Sequence, residues 1–299
     1  MKEQSEMMMT QDRLPFQYSS MNSSSELTSF AGLPLYLELA MATGLCAAIA
    51  DKMKTKSQGW TDQQIILSLI LLNLAGGDCV EDIDRLEKDE GLSRLLLKVA
   101  THGMKRKKRR EHERRWRKNN QRSVPSPSAI RRYLEQFHYH SEEALRVEGK
   151  ILIPSKNALL ETLTSLNSTL SEFAQKKSPS TVATLDQDAT LVSTNKTSEL
   201  YCYKKFKAYQ PFNTYWNEQG LLLSSEFRDG NVNAGYEQLR ILKEDLEKLP
   251  SGIEAVRLRS DSAAYQKELL QYCAEGKSER FGVIEFAISA RVSSDISQP

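Results

Sequence analysis

The chain has 299 residues, of which 39% are hydrophobic and 27% are charged. This composition predicts a soluble globular protein long enough for two domains, and the apolar runs are too short or too interrupted to span a membrane. Four cysteines without paired spacing favour reduced thiols in a cytoplasmic protein over a disulfide framework or a zinc site. The first 25 residues are polar, lack a secretion signal and are expected to be disordered.

The N-terminal half is predicted to form a small all-helical domain. Apolar residues at three- and four-residue spacing predict a helix over 33–52. Thr61 is the expected N-cap of the next helix, because Gln64 stands at the capping-box position. Shorter helices are expected at 80–88 and 92–100.

A strongly basic segment follows these helices. Residues 105–122 hold eleven of the 41 basic side chains and two acids, so the rest of the chain carries 30 basic and 37 acidic side chains. Such a cluster binds phosphates with salt-sensitive, sequence-independent affinity, and we expect DNA contact here rather than a merely solvated surface. The residues expected to contact DNA are Lys105, Arg106, Lys107, Lys108, Arg109, Arg110, Arg114, Arg115, Arg117 and Lys118.

A candidate sequence-reading helix comes after the basic segment. Pro125 and Pro127 interrupt the chain, and Ser128 is the expected N-cap of a helix over 129–137. Arg131 and Arg132 are expected to face outward on this helix. Base reading requires side chains that reach base edges, so these two arginines are the candidate readers.

A linker at 176–180 is predicted to separate two domains, a helical DNA-binding region at 26–177 and a second domain at 178–299. After the linker the hydrophobic period changes from helical to alternating. Three antiparallel strands followed by β-α units predict an α+β protein, whose C-terminal domain is an incomplete ribonuclease H-like, retroviral-integrase-like mixed sheet with flanking helices. Strands are expected at 182–192, 212–216, 221–227, 255–260 and 281–288, and helices at 234–248 and 265–274.

Three aspartates occupy strand positions suited to a metal site. Asp186 and Asp188 are two residues apart and therefore share one face of the first strand, and Asp261 ends the fourth strand. The predicted strand order makes the first and fourth strands neighbours. Carboxylates so placed can hold Mg²⁺ or Mn²⁺ for phosphodiester chemistry. The alternative is that they are ordinary polar residues at strand ends.

Four ordered blocks carry a resemblance to a known family. Residues 186–190 resemble an Asp-x-Asp-x-Thr block, and residues 207–211 resemble a Lys-Gly-Tyr-x-Pro block with Ala208 in place of Gly. Residues 228–231 match Arg-x-Gly-Asn, and residues 259–265 match the block around the second Asp. Together they resemble bacterial insertion-sequence DDE transposases, most closely the insertion-sequence group numbered thirteen-eighty.

The resemblance implies metal-dependent DNA cleavage and strand transfer at the inverted repeats of an element, by a homodimer bound to DNA. It assigns Asp188 and Asp261 as catalytic acids that hold Mg²⁺ or Mn²⁺, and Asp186 as a further metal ligand. The lysines beside this site, Lys204, Lys205 and Lys207, are expected to touch substrate phosphate.

The third acid of the family has no counterpart in this sequence. Glu285 lies within the last predicted strand, where a structural role is expected, so the chain is interpreted as a C-terminally truncated transposase. Two alternatives remain open. The chain could be a non-enzymatic DNA-binding product that inhibits the full transposase, or a free-standing metal-dependent nuclease.

Overall fold

A computed structural model of the protein describes residues 28–55, 58–119, 122–147, 150–195 and 200–290, with the backbone alone at 112 and 115–119. The prediction of disorder over the first 25 residues lies outside these ranges. Two compact units are present, Met1–His138 and Tyr139–Pro299.

The first unit is all helical, as the sequence predicted. The expected long first helix is two helices, because Gly44 adopts a left-handed φ of 80° that ends the first of them. Short 3₁₀ turns occur at Val80–Asp82 and Glu135–Phe137. The helices are α1 (Leu33–Ala42), α2 (Leu45–Lys52), α3 (Asp62–Leu74), α4 (Ile83–Lys88), α5 (Glu90–Ala100), α6 (Arg106–Asn119) and α7 (Pro127–Leu134).

Two helix starts in this unit test the capping predictions. The capping box of α3 is confirmed, since Thr61 and Gln64 each bond the other's backbone amide. The predicted cap at Ser128 is wrong. Ser126 is the cap, because its Oγ accepts from the Ala129 amide and Pro127 takes the first helical position that suits its fixed φ.

The second unit is a mixed sheet with helices. Its elements are α8 (His140–Glu143), α9 (Ala158–Lys177), β1 (Val182–Ala189), β2 (Val192–Ser193), β3 (Ala208–Tyr209), β4 (Phe212–Trp216), β5 (Leu221–Glu226), α10 (Gln238–Lys248), β6 (Ala255–Ser260), α11 (Lys267–Ala274) and β7 (Glu285–Ile288).

Five of these strands form one sheet in the order β5-β4-β1-β6-β7. Strand β1 is antiparallel to β4 and parallel to β6, and β6 is parallel to β7. A separate two-stranded sheet joins β2 and β3.

One face of this sheet holds the core. Alternate residues of β1 and β6, among them Leu185 and Leu258, are buried in a cluster that also contains Leu242 and Leu246 of α10 and Leu269 of α11. The opposite face of β6 is exposed along its length. Burying apolar side chains on one face only is what the alternating sequence pattern predicts.

The division into units differs from the predicted linker. Helix α9 packs against β5, and Arg146 forms an ion pair with the buried Asp229 at 2.8 Å. These contacts group residues from Tyr139 onward with the sheet. A functional boundary at 176–180 stays a prediction.

In the described ranges no single helix is long and apolar enough to cross a membrane, and α1 with α2, which meet at 65°, reach that length and composition only as a pair.

Candidate active site

The register of two parallel strands brings the two predicted catalytic acids side by side. Gln187 of β1 is the register partner of Ser260 of β6, and Asp188 and Asp261 are the next residues along each chain segment. Adjacent strands lie about 4.8 Å apart, so the two aspartates leave neighbouring positions at the carboxyl end of the parallel pair. Two aspartates that are far apart in sequence thus lie close together at the carboxyl ends of these strands.

The two carboxylates differ in how they are held. Asp261 Oδ1 accepts a 2.9 Å hydrogen bond from the Ala263 amide and caps the 3₁₀ turn Ser262–Ala264, which leaves its other oxygen available. Asp188 is exposed, and no hydrogen bond or ion pair reaches its carboxylate from the residues that the structure describes. Both groups can therefore offer oxygen atoms to a ligand.

Asp186 is predicted to be a further metal ligand, but its carboxylate is bound by an arginine. Arg259 donates to both of its carboxylate oxygens, from Nε and Nη2, at 2.5 Å each. The hydrogen bond and the charge of Asp186 raise the pKa of Arg259. Asp186 could ligate a metal only after exchanging this bidentate pair, so its primary contact here is the neighbouring strand.

A buried polar network lies beneath the two acids, on the core face of the sheet. Gln238 Nε2 donates to Gln187 Oε1 at 3.2 Å and to Ser260 Oγ at 3.1 Å. Ser260 Oγ in turn donates to the Gln187 carbonyl oxygen at 2.8 Å. Gln187 Nε2 reaches Thr214 Oγ1 on β4 at 3.1 Å and Asp245 Oδ2 on α10 at 3.5 Å.

This network ties together three strands and one helix, and the sequence interpretation missed it. Gln187 and Gln238 are each 1% exposed. The available signal was the alternation of β1, which places Gln187 on the inward face with Ala183 and Leu185. A polar residue at a core position requires buried partners.

Two of the four sequence blocks have structural explanations elsewhere in the unit. A Cβ added at Gly230 would lie 2.4 Å from the Ala208 carbonyl oxygen, so the block at 228–231 must pass close to the one at 207–211. Arg228 is fully buried, pairs with Glu226 at 2.9 Å and lies over the Phe212 ring. Burial lowers the pKa of Arg228 despite the neighbouring carboxylate.

A family model described as transposase DDE domain group 1 matches residues 20–298. The chain belongs to this transposase DDE domain family. A search of curated proteins gives no match. Among solved structures, the Drosophila P element transposase strand transfer complex is similar at 13% identity and a TM-score of 0.28, over 75% of this chain. The match covers 48% of that chain, so this chain spans about half the length of that transposase.

Members of the DDE domain family generally use divalent metal ions. Mg²⁺ needs only one or two carboxylates together with waters and substrate phosphate, so the pair Asp188 and Asp261 fits such an ion. Within the described ranges no group of three or more His, Cys, Asp or Glu side chains stands close enough to hold a metal. The described ranges thus contain no closed cage of protein ligands.

The basic side chains predicted to contact DNA lie on two parts of this DDE-family chain. Lys105–Arg110 and Arg114 are exposed on or beside α6, whereas the side chains of Arg115, Arg117 and Lys118 lie outside the described part. Lys204 and Lys205 are exposed between β2 and β3, with Lys207 partly covered.

The two candidate base readers on α7 are both engaged. Arg131 pairs with Glu81, an exposed partner that raises the pKa of the arginine. Arg132 Nε donates to the Ser128 carbonyl oxygen of its own helix at 3.3 Å. Base reading by either arginine would require exchange of these contacts, which are solvent-accessible and therefore weak.

Proposed function

We propose that this chain is an insertion-sequence DDE transposase, of the group numbered thirteen-eighty, which cleaves DNA strands and joins their ends to target DNA. The observation that carries the proposal is the parallel register that sets Asp188 beside Asp261 at one edge of the sheet. Carboxylates paired in this way are what metal-assisted phosphodiester chemistry requires.

A ribonuclease H-like class for the second unit belongs to this proposal. Its support is the strand order β5-β4-β1-β6-β7, in which an antiparallel meander is followed by two parallel strands. The same order explains why acids 73 positions apart in the chain meet at one edge.

In this function Asp188 and Asp261 hold Mg²⁺ or Mn²⁺. The bound metal supplies Lewis-acid stabilisation of phosphate charge and lowers the pKa of an attacking hydroxyl group. The chain's own residues orient that centre: Ser260 and Gln187 fix the strand ends, and the Ala263 amide holds one oxygen of Asp261. Lys204, Lys205 and Lys207 contact substrate phosphates.

The partner in this function is DNA, bound by a homodimer at the terminal inverted repeats and at the target. Support comes from the exposed row Lys105–Arg110, which continues into α6. Charge of this density contacts phosphates without reading sequence. Arg131 and Arg132 on α7 are the proposed base readers.

A second candidate function is DNA binding without cleavage, by which the protein would inhibit an active transposase. The observation that favours it is the absence, within the described ranges, of a third acid beside the pair. Glu285 on β7 forms an ion pair with Arg257 at 2.8 Å, which supports a structural role. A free-standing nuclease using the aspartates alone is the third candidate.

The test is nicking of a supercoiled plasmid in Mn²⁺, with and without the DNA that flanks the gene. Transposase activity predicts nicks at defined positions in the flanks, which Asp188→Asn and Asp261→Asn abolish and Asp51→Asn leaves intact. Nicks at scattered positions, in the plasmid with the flanking DNA and in the one without it, would show that the protein is a nuclease. Tight binding to the flanking DNA without any nick would show that it is a non-enzymatic DNA-binding protein.

A further inference from the structure

The tip, a turn at Tyr201–Lys207 in the connection between β2 and β3, exposes aromatic rings that contribute little to the core. Tyr203 is 72% exposed, Tyr201 is 59% exposed and Phe206 is 37% exposed. Large aromatic side chains dominate core and interface energetics when they are buried, and exposing several on one short loop forgoes that gain. Their clustering therefore points to a ligand.

The backbone holds this tip in a defined shape. The Cys202 amide donates to the Phe206 carbonyl oxygen and the Lys205 amide donates to the Cys202 carbonyl oxygen, both at 2.9 Å. Lys205 adopts a left-handed φ of 66°, which closes the turn. The Cys202 side chain is buried and anchors the tip between the two exposed tyrosines. The rings are thus presented on a structured turn rather than on a loose chain.

The charge of the tip specifies the class of ligand. Residues 200–211 contain three lysines and no acid. Lys204 Nζ lies 5.7 Å from the Tyr203 ring centroid, and Lys207 Nζ lies 6.0 Å from the Tyr201 centroid. Each of the two tyrosine rings therefore has an ammonium group beside it. Aromatic rings interleaved with cations suit a ligand that alternates flat π-systems with anionic groups, which describes a nucleic-acid strand.

The hairpin begins where the candidate active site ends. Strand β2 starts at Val192, shortly after Asp188, and the Thr190 amide donates to the Pro211 carbonyl oxygen at the base of the hairpin. Asp188 is itself paired in register with Asn213, just beyond the returning strand. The base of the β2–β3 hairpin thus adjoins the end of β1 that carries Asp188.

We propose that the tip at Tyr201–Lys207 is a stacking platform for unpaired DNA bases next to the active site. The inference rests on the proposed function in that its ligand is DNA, but it adds a subsite and a preference. Bases within a duplex already stack on one another, so exposed rings gain contact area only with bases that are unpaired or splayed. The lysines contact the phosphates of that same strand.

The experiment compares a single-stranded oligonucleotide with a duplex of the same sequence by fluorescence anisotropy over a range of salt concentrations. All proteins carry Asp188→Asn, so that cleavage plays no part in the readout. Tyr201→Ala with Tyr203→Ala is expected to weaken single-strand binding at least tenfold, to leave duplex binding within twofold and to leave the salt slope unchanged.

Three control variants separate stacking from charge and from folding. Tyr203→Phe keeps a ring and should bind single strands like the parent. Lys204→Ala with Lys205→Ala should reduce the single-strand salt slope by about 0.7 for each phosphate that these lysines neutralise. Tyr36→Ala removes a ring that is 47% exposed in the other unit and should change neither affinity. A thermal melt of each variant checks that the fold is retained.

Equal loss of duplex and single-strand affinity in the double tyrosine variant would overturn the stacking proposal, and so would no loss at all. Loss of self-association in sedimentation, with DNA binding intact, would assign the tip to protein contact instead. Failure of the parent protein to bind any DNA would overturn both this inference and the DNA partner. Stacking in these proteins, together with no nicking by the protein that retains Asp188, would remove only the catalytic proposal.

Discussion

Ser260 Oγ donates a 2.8 Å hydrogen bond to the carbonyl oxygen of Gln187, and these two residues directly precede Asp261 and Asp188. The bond crosses between parallel strands on the core side, whereas the acids act on the other side. Gln238 reaches both partners from α10. The spacing of the two carboxylates is therefore set by buried polar groups beneath the sheet, in addition to the backbone ladder.

Replacing Gln238 with leucine is expected to weaken Mn²⁺ binding several-fold. The change removes two hydrogen bonds that hold the strand ends and leaves Gln187 Oε1 without a donor. Loss of a group that orients a metal ligand typically reduces metal affinity by about 10- to 100-fold. Gln238 acts on the aspartates only through the backbone, so we expect a reduction of about tenfold or less. Isothermal titration with Mn²⁺ measures it.

Gln175→Leu is the matched control for that variant. Gln175 is also a buried glutamine in the same unit, and it bonds the backbone of Ser180, which precedes β1 at the opposite end of that strand from Asp188. Each variant is expected to lower the unfolding free energy by about 1–3 kcal/mol, because buried polar partners are left unsatisfied. Equal Mn²⁺ affinity in the two variants would show that Gln238 acts on stability alone.

The two aspartates of β1 are expected to respond differently to substitution. Asp186→Asn removes one charge of the ion pair with Arg259. The Asp186 side chain is 33% exposed and the Arg259 side chain is 50% exposed, so the unfolding free energy should change by about 1 kcal/mol or less. Asp188→Asn should abolish Mn²⁺ binding, while Asp186→Asn should retain it within a few-fold. Titration of both variants decides the ligand set, and loss of binding in Asp186→Asn would restore it as a primary ligand.

Sequence periodicity was sufficient for most of the fold. The alternating stretches predicted β1, β4, β5 and β6 within a few residues, because their buried apolar side chains lie at alternate positions. The predicted strand order placed Asp188 near Asp261, and the register agrees with it. In the first unit, apolar spacing and the Thr61 cap predicted α3 correctly, whereas the helix predicted over 33–52 is two helices and the cap predicted at Ser128 is Ser126.

What sequence could not supply was the choice among equally plausible partners. Ser126 and Ser128 are both possible caps in the sequence, and Pro127 at the first helical position decides in favour of Ser126. Arg259 and Asp186 are 73 positions apart, and only the parallel register pairs them. Long-range polar contacts of this kind leave no periodic signal, so the engagement of Asp186 was missed.

Arg228→Leu is expected to lower the unfolding free energy by about 3–5 kcal/mol. Arg228 is fully buried against Glu226, and removing one member of a buried pair leaves the other charge poorly compensated. Arg240, which also contacts Glu226 at 2.7 Å, limits the loss. Urea unfolding measures the change. Arg257→Leu disrupts the exposed pair with Glu285 and should cost about 1 kcal/mol or less, so equal effects would contradict the burial argument.

Gly230→Ala is expected to destabilise the second unit by about 1–3 kcal/mol, since the new Cβ would overlap backbone that cannot move freely. Its nearest neighbour, the Ala208 carbonyl oxygen, would be 2.4 Å away. Gly32→Ala is the control, because nothing lies within 4 Å of a Cβ there. Thermal unfolding of the two variants should separate them, and a Gly230→Ala protein as stable as the parent would show that the close approach relaxes.

Glu218 is expected to make stability fall as the pH becomes acidic. Burial tends to raise the pKa of this carboxyl, but hydrogen bonds from the Thr184 hydroxyl and amide outweigh it and hold the pKa below the ordinary 4.5. Those donors lie at 2.5 Å and 2.7 Å. A lowered folded-state pKa contributes stability that is present above the unfolded-state value and is lost as the pH falls through the folded-state value.

Glu218→Gln should therefore be less stable than the parent at pH 7, and the difference should shrink as the pH drops below about 4.5. Thr184→Val removes the hydroxyl donor and should flatten the same acid limb to a smaller extent, because the backbone amide still donates to the carboxylate. Urea unfolding at a series of pH values gives both curves. A constant gap between Glu218→Gln and the parent across this range would mean that the carboxylate contributes through packing rather than through its charge.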